Sequence, residues 1–185
     1  MNQELTPEEC VDVVLTREDA VKGQLDTAIW LWFLEEPVAA IHALADNSLT
    51  ILNDVGAKKG KESQFYSKEM HKLHGRDVLK KVGNFLKHGS KDPTAAMKFR
   101  PARTEYLMFD ALNLCAKLYP PVSLLMATFS AWFVLFHHAR GRLTTEEILK
   151  YLPKGVSPEQ INKLPRREFL ETVLPLFAQF GLGES

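Results

Sequence analysis

The chain has 185 residues, 45% of them hydrophobic, and its 23 Lys+Arg are balanced by 23 Asp+Glu. That length suits one domain with a substantial core and is short for two, and the hydrophobic share excludes a disordered chain. The zero net charge is a cancellation of blocks: Met1–Val55 holds 2 basic against 11 acidic residues, Gly56–Arg103 holds 13 against 4, and Thr104–Ser185 holds 8 against 8. Segregation of this kind builds an oriented field, which implies a charged partner or self-association of unlike faces.

In chain order, helical punctuation dominates. Met1–Glu9 is acidic and polar, so no secretory signal is expected there, and the chain reads as cytoplasmic. Cys10 and Cys115 lie far apart without metal-like spacing and are expected to be reduced thiols. Thr6-Pro7-Glu8-Glu9 has the form of an N-cap followed by proline, and Thr16-Arg17-Glu18-Asp19 places a carboxylate three residues after a hydroxyl. The helix that follows is expected to reach about Leu34, with Leu25, Ile29, Trp32 and Phe33 as its apolar stripe, and Glu35-Glu36-Pro37 to break it. A second helix is expected over roughly Pro37–Val55, with Ile41, Leu44, Ala45, Ser48, Leu52 and Val55 on one face and Gly56 as a left-handed C-terminal residue.

After a Lys- and Gly-rich loop (Gly56–Gln64), a third helical region spans about Ser67–His88, and another runs from near Thr104 to Tyr119-Pro120-Pro121. Val122–Phe136 then carries no charge over 15 residues. A membrane span needs about 20, so a buried central helix is expected here and no membrane segment. Thr144-Thr145-Glu146-Glu147 and Ser157-Pro158-Glu159 begin short helices, and Arg166–Phe180 forms a last amphipathic one that Pro175 should kink or end. The expected architecture is all-α: a compact bundle of about five core helices over residues 1–143, with a helical C-terminal extension of the same domain over 144–185.

The basic block supplies the candidate chemistry. On a helix advancing 100° per residue, Lys81 lies about 20° from His88 and Asn84 about 40° from it. Val78, Leu79, Val82, Phe85 and Leu86 are expected to pack into the core. One face therefore offers a cation, an amide and an imidazole, and the helix dipole favours a protonated His88 at the C-terminal end. A histidine beside a fixed cation can serve as acid or base on a phosphodiester, with the cation stabilising the added charge. Arg76, Lys80, Lys87 and Lys91 are candidate phosphate contacts on the same segment. Aromatic interleaving there is thin, which argues against a stacking platform for single strands.

The run Gly83-Asn84-Phe85-Leu86-Lys87-His88-Gly89 resembles the signature of the HEPN superfamily, the higher-eukaryote and prokaryote nucleotide-binding domains. Its members often show Arg-Asn, a few residues and then His. The resemblance implies a compact all-α bundle that dimerises, and in active members a metal-independent ribonuclease whose paired motifs meet at the dimer interface. Asn84 matches the polar residue after the arginine, and His88 matches the histidine. Gly83 stands in the arginine position, where a phosphate-holding fork is missing, and Lys81 could substitute only as a point charge. The resemblance covers perhaps Arg17–Ala139 and points to RNA or nucleotide binding with weak or absent nuclease activity.

Other constellations are incomplete. His71 and His74 lie three apart, and His42 and Asp46 four apart, yet neither extends to Glu-x-x-His or His-Glu-x-x-His, so no metal and no cofactor is expected. His42, Asp46 and Asn53 form a polar seam for a cleft or a dimer contact. Two functions follow. One is a homodimer binding RNA or another phosphate-bearing ligand through Lys81, Asn84, Lys87 and His88. The other is a non-catalytic interaction module whose contact surface uses Trp30, Trp32, Trp132 and Phe133.

Overall fold

Thr16 caps the first helix, α1 (Arg17–Phe33), by the reciprocal arrangement its sequence suggests: Thr16 Oγ1 accepts from the Asp19 amide, and the Asp19 carboxylate accepts from the Thr16 amide. The computed structural model describes residues 12–63, 76–87, 94, 96–138, 161 and 163–179. Five further helices are described: α2 (Val38–Ala57), α3 (Arg76–Lys87), α4 (Ala102–Leu118), α5 (Leu124–His138) and α6 (Arg166–Gln179). The described residues contain no strand, and the fold is an all-α bundle. None of these helices is long and apolar enough to cross a membrane.

The turn between α1 and α2 folds the second helix back against the first. Glu36 N–H donates to the Leu31 carbonyl and Glu35 N–H to that of Trp32, the pairing of a Schellman C-cap. Its left-handed position, usually glycine, is Glu35 at φ 59°. Gly56 was expected to play that role at the end of α2, but it lies inside the helix. A Cβ at Gly56 would sit 2.3 Å from the Lys61 carbonyl oxygen, so this glycine serves a close backbone approach, and the positive φ falls at Gly60 (63°).

α2 packs between α1 and α4, while α1 also meets α5 and α6. The centre is aromatic. Phe33 stacks on Phe169 with centroids 6.2 Å apart, Phe109 on Phe133 at 4.0 Å, and Trp32 leans on Trp132 at 4.0 Å. Trp32, Trp132 and Phe133 are therefore core residues, not the partner surface the sequence suggests; of the four named, Trp30 alone is open, at 46%. Full burial of each such ring stabilises the fold by about 1.5–3 kcal/mol.

The carboxy-terminal helix belongs to this core. Phe169, Leu170, Val173 and Phe177 of α6 are buried. The Arg166 guanidinium lies 4.0 Å over the Trp32 ring and 3.4 Å from Glu105, an attachment that combines cation–π and ionic contact. Pro175 does not end α6, which continues to Gln179. The proline sits on the exposed side, as does Glu171, whose carbonyl would otherwise accept from the amide that proline lacks. Cys115 is buried and free, and burial pushes its thiol up to about 11, which makes it unreactive. The starts proposed at Thr6, Thr144 and Ser157, and Cys10, lie outside the described residues.

Glu35→Gly relieves a left-handed side chain at a cost in chain entropy, and should raise stability by about 0.5–1 kcal/mol, read from the urea midpoint.

Candidate functional site

Over residues 81–87, α3 meets the bundle along one face. Val82 and Gly83 are buried, Leu86 is half-buried, and Lys81 and Asn84 are exposed. Phe85 departs from expectation. It was placed on the core side and is 38% exposed, flanking Lys81 on the open face. Its angular distance from the centre of the buried arc accounts for this, because the sealed arc is set by Val82, Gly83 and Leu86.

The sealed edge is unusually close. A Cβ at Gly83 would lie 2.3 Å from Asp46 Oδ2 and 2.8 Å from its carboxyl carbon. Nothing larger than hydrogen fits between α3 and the α2 carboxylate. The position that would carry arginine in the HEPN pattern thus faces inward onto Asp46. Asp46 in turn accepts from Lys87 Nζ at 2.8 Å, with the carboxylate side chain 8% exposed and the lysine 41%. The two polar sets read separately in the sequence, the α2 seam and the basic helix, meet at this ion pair.

One turn earlier on α2, His42 is buried. Its Nδ1 is 3.0 Å from Thr104 Oγ1 of α4, and its ring meets Phe99 edge-on at 5.2 Å. Burial lowers its pKa to about 4; Asp46 works against that shift, while Arg103 and Lys87 add to it. His42 is therefore neutral at physiological pH and adds no charge to the site. Asn53, the third member of the seam, is half-buried.

Of the candidate ligand residues, Lys81 and Asn84 share the open face and Lys87 stands at its border, tied to Asp46. Arg76 and Lys80 fall within α3. His88 and Lys91 lie outside the described residues, as do His71 and His74. No group of three or more metal-ligating side chains occurs among the described residues. Thr104 and Phe99 were not foreseen, because long-range partners of a buried histidine leave no local pattern. Gly83 did carry a signal, since a lone glycine inside a helical run often marks a close approach. Chemically, the described face offers an ammonium and an amide as phosphate donors and a ring for stacking.

Two outcomes test this geometry. Gly83→Ala should destabilise by about 1–3 kcal/mol despite the better helix propensity of alanine. In an Asp46→Ala background the penalty should vanish, a non-additivity that a double-mutant cycle of urea midpoints measures. Second, unfolded His42 takes up a proton near pH 6.5 and folded His42 only near 4. Between those values the unfolded state binds more protons, so the contribution is complete above about 6.5 and is lost as pH falls towards 4. Stability should drop by about 2 kcal/mol between about pH 7 and 5, and by clearly less in His42→Gln.

Comparison of the chain with known protein families, with characterised proteins and with solved structures finds no match.

Proposed function

We propose that this protein is a HEPN-like helical protein of the cytoplasm, acting as a homodimer, that binds RNA or another phosphate-bearing ligand on the outer face of α3. The exposure of Phe85 beside Lys81 and Asn84 carries this reading. The open part of the Phe85 ring would supply the stacking partner that the sequence alone lacked. Lys81 and Asn84 would hold phosphate oxygens while Phe85 receives a base or sugar face. The field of the 13-to-4 basic segment would draw the polyanion in.

Binding is favoured over cleavage. Gly83 brings no side chain to the open face, and its inward contact with Asp46 leaves no room for one. His42 is buried and neutral, so it is out of reach as an acid or base for a surface ligand. If cleavage occurs, it falls to His88. A second reading, a non-catalytic interaction module, draws on exposed Trp30 and on Val13, Val14 and Leu15, which are 83%, 90% and 69% exposed.

Fluorescence anisotropy with a labelled single-stranded RNA separates the two. Binding should appear at low salt and weaken steeply as salt rises. Lys81→Gln should lower the slope of log K against log salt by about one, and Phe85→Ala should cost about 1–3 kcal/mol. In chelator, the wild type should cleave the RNA no faster than His88→Ala. Absence of binding at low salt, or binding indifferent to both substitutions on α3, would leave only the interaction-module reading.

A further inference from the structure

We propose that Asp46 is a built-in competitor for the ligand, an intramolecular carboxylate that occupies Lys87 until a phosphate displaces it. The inference rests on the α3 face being an anion-binding surface and adds how that surface is regulated.

Three observations meet at this point. Asp46 is a carboxylate fixed in place: its side chain is 8% exposed and stands on the middle of α2. Gly83 removes the Cβ that would otherwise hold α3 away from it, so the carboxylate reaches the helix surface. Lys87, by contrast, stands at the open edge of this contact. Its side chain is 41% exposed, and its Nζ is 2.8 Å from Asp46 Oδ2. On the helix, Lys87 lies about 40° from Gly83 at the sealed edge and about 60° from Asn84 on the open face. A change of rotamer thus carries the ammonium from the buried carboxylate to the side where Lys81 and Asn84 present their donors.

The exchange is chemically balanced. Lys87 is a flexible point charge with three donors, able to leave one oxyanion for another without the geometric demands of arginine. The pair joins a buried carboxylate to a lysine that is 41% exposed, so a phosphate displaces Asp46 only when Lys81 and Asn84 add their own contacts to it. A monovalent carboxylate ligand without those added contacts does not. The Asp46–Lys87 pair therefore sets a threshold that favours polyanions, and it hides one cation of the basic face from incidental anions.

The test uses the 185-residue chain and a fluorescein-labelled single-stranded RNA of mixed sequence, with affinity measured across a salt series. Asp46→Asn keeps the shape of the side chain and removes its charge. It should bind the RNA about three- to tenfold more tightly at low salt, the gain of roughly one uncompensated phosphate contact. Lys87→Gln should bind more weakly than wild type, with a salt slope smaller by about one. The double variant Asp46→Asn/Lys87→Gln should lose the gain. The inference is overturned if folded Asp46→Asn binds no more tightly than wild type, or if its gain survives removal of Lys87. Should Asp46→Asn fail to fold, Lys87→Gln alone decides, because an unchanged slope means that Lys87 never transfers. RNA binding by wild type without these effects sinks the competitor alone, whereas no binding by wild type or by either variant sinks the anion-binding face with it.

Discussion

Everything proposed for α3 depends on how near it comes to α2. A buried carboxylate is costly unless it is satisfied, and Asp46 gains Lys87 only because the helix passes directly over it. The passage is possible at a single residue type. Glycine at 83 is therefore a packing requirement first, and its consequence for chemistry is secondary: the helix is rotated so that Lys81, Asn84 and Phe85 face water. The same contact fixes which positions can meet a ligand and which cannot.

The polar cluster around this contact is mixed in character. His42 is neutral, bonded to the Thr104 hydroxyl and bordered by Phe99. Asp46 is charged and paired with a lysine whose other end is in water. Burial keeps His42 neutral even though Asp46 stands four residues along the same helix. A histidine four residues from an aspartate on a helix looks like a pair of metal ligands, yet here the two point to different neighbours, one to α4 and one to α3. Each is consumed by its own partner.

Elements with a strong local signature were legible in the sequence. The Thr16–Asp19 box, the break at Glu35-Glu36-Pro37 and the apolar stripe of α1 depend on residues within a turn or two of one another, and all appear in the structure. What was not legible depends on neighbours far along the chain. Gly56 resembles a C-cap until the Lys61 carbonyl is brought against it. Phe85 is the exception, since its exposure was legible locally: four residues from Lys81, it lies only about 40° away around the helix. Trp32 and Trp132 resemble a sticky surface until Arg166 of α6 lies over them, and Phe133 until Tyr106 and Phe109 of α4 pack on it. Lys87 could be recognised as a candidate anion contact from its position, but not as the partner of a carboxylate 41 residues away.

The attachment of α6 has a bearing on biogenesis. Phe33, near the end of the first described helix, completes its packing on Phe169, near the start of the last, and Trp32 receives the Arg166 guanidinium from that same late segment. Until α6 is made, Phe33 and Trp32 lack the Phe169 ring and the Arg166 guanidinium that cover them, however early α1, α2 and α4 have formed. A nascent chain stopped before Arg166 would leave that aromatic edge open to solvent.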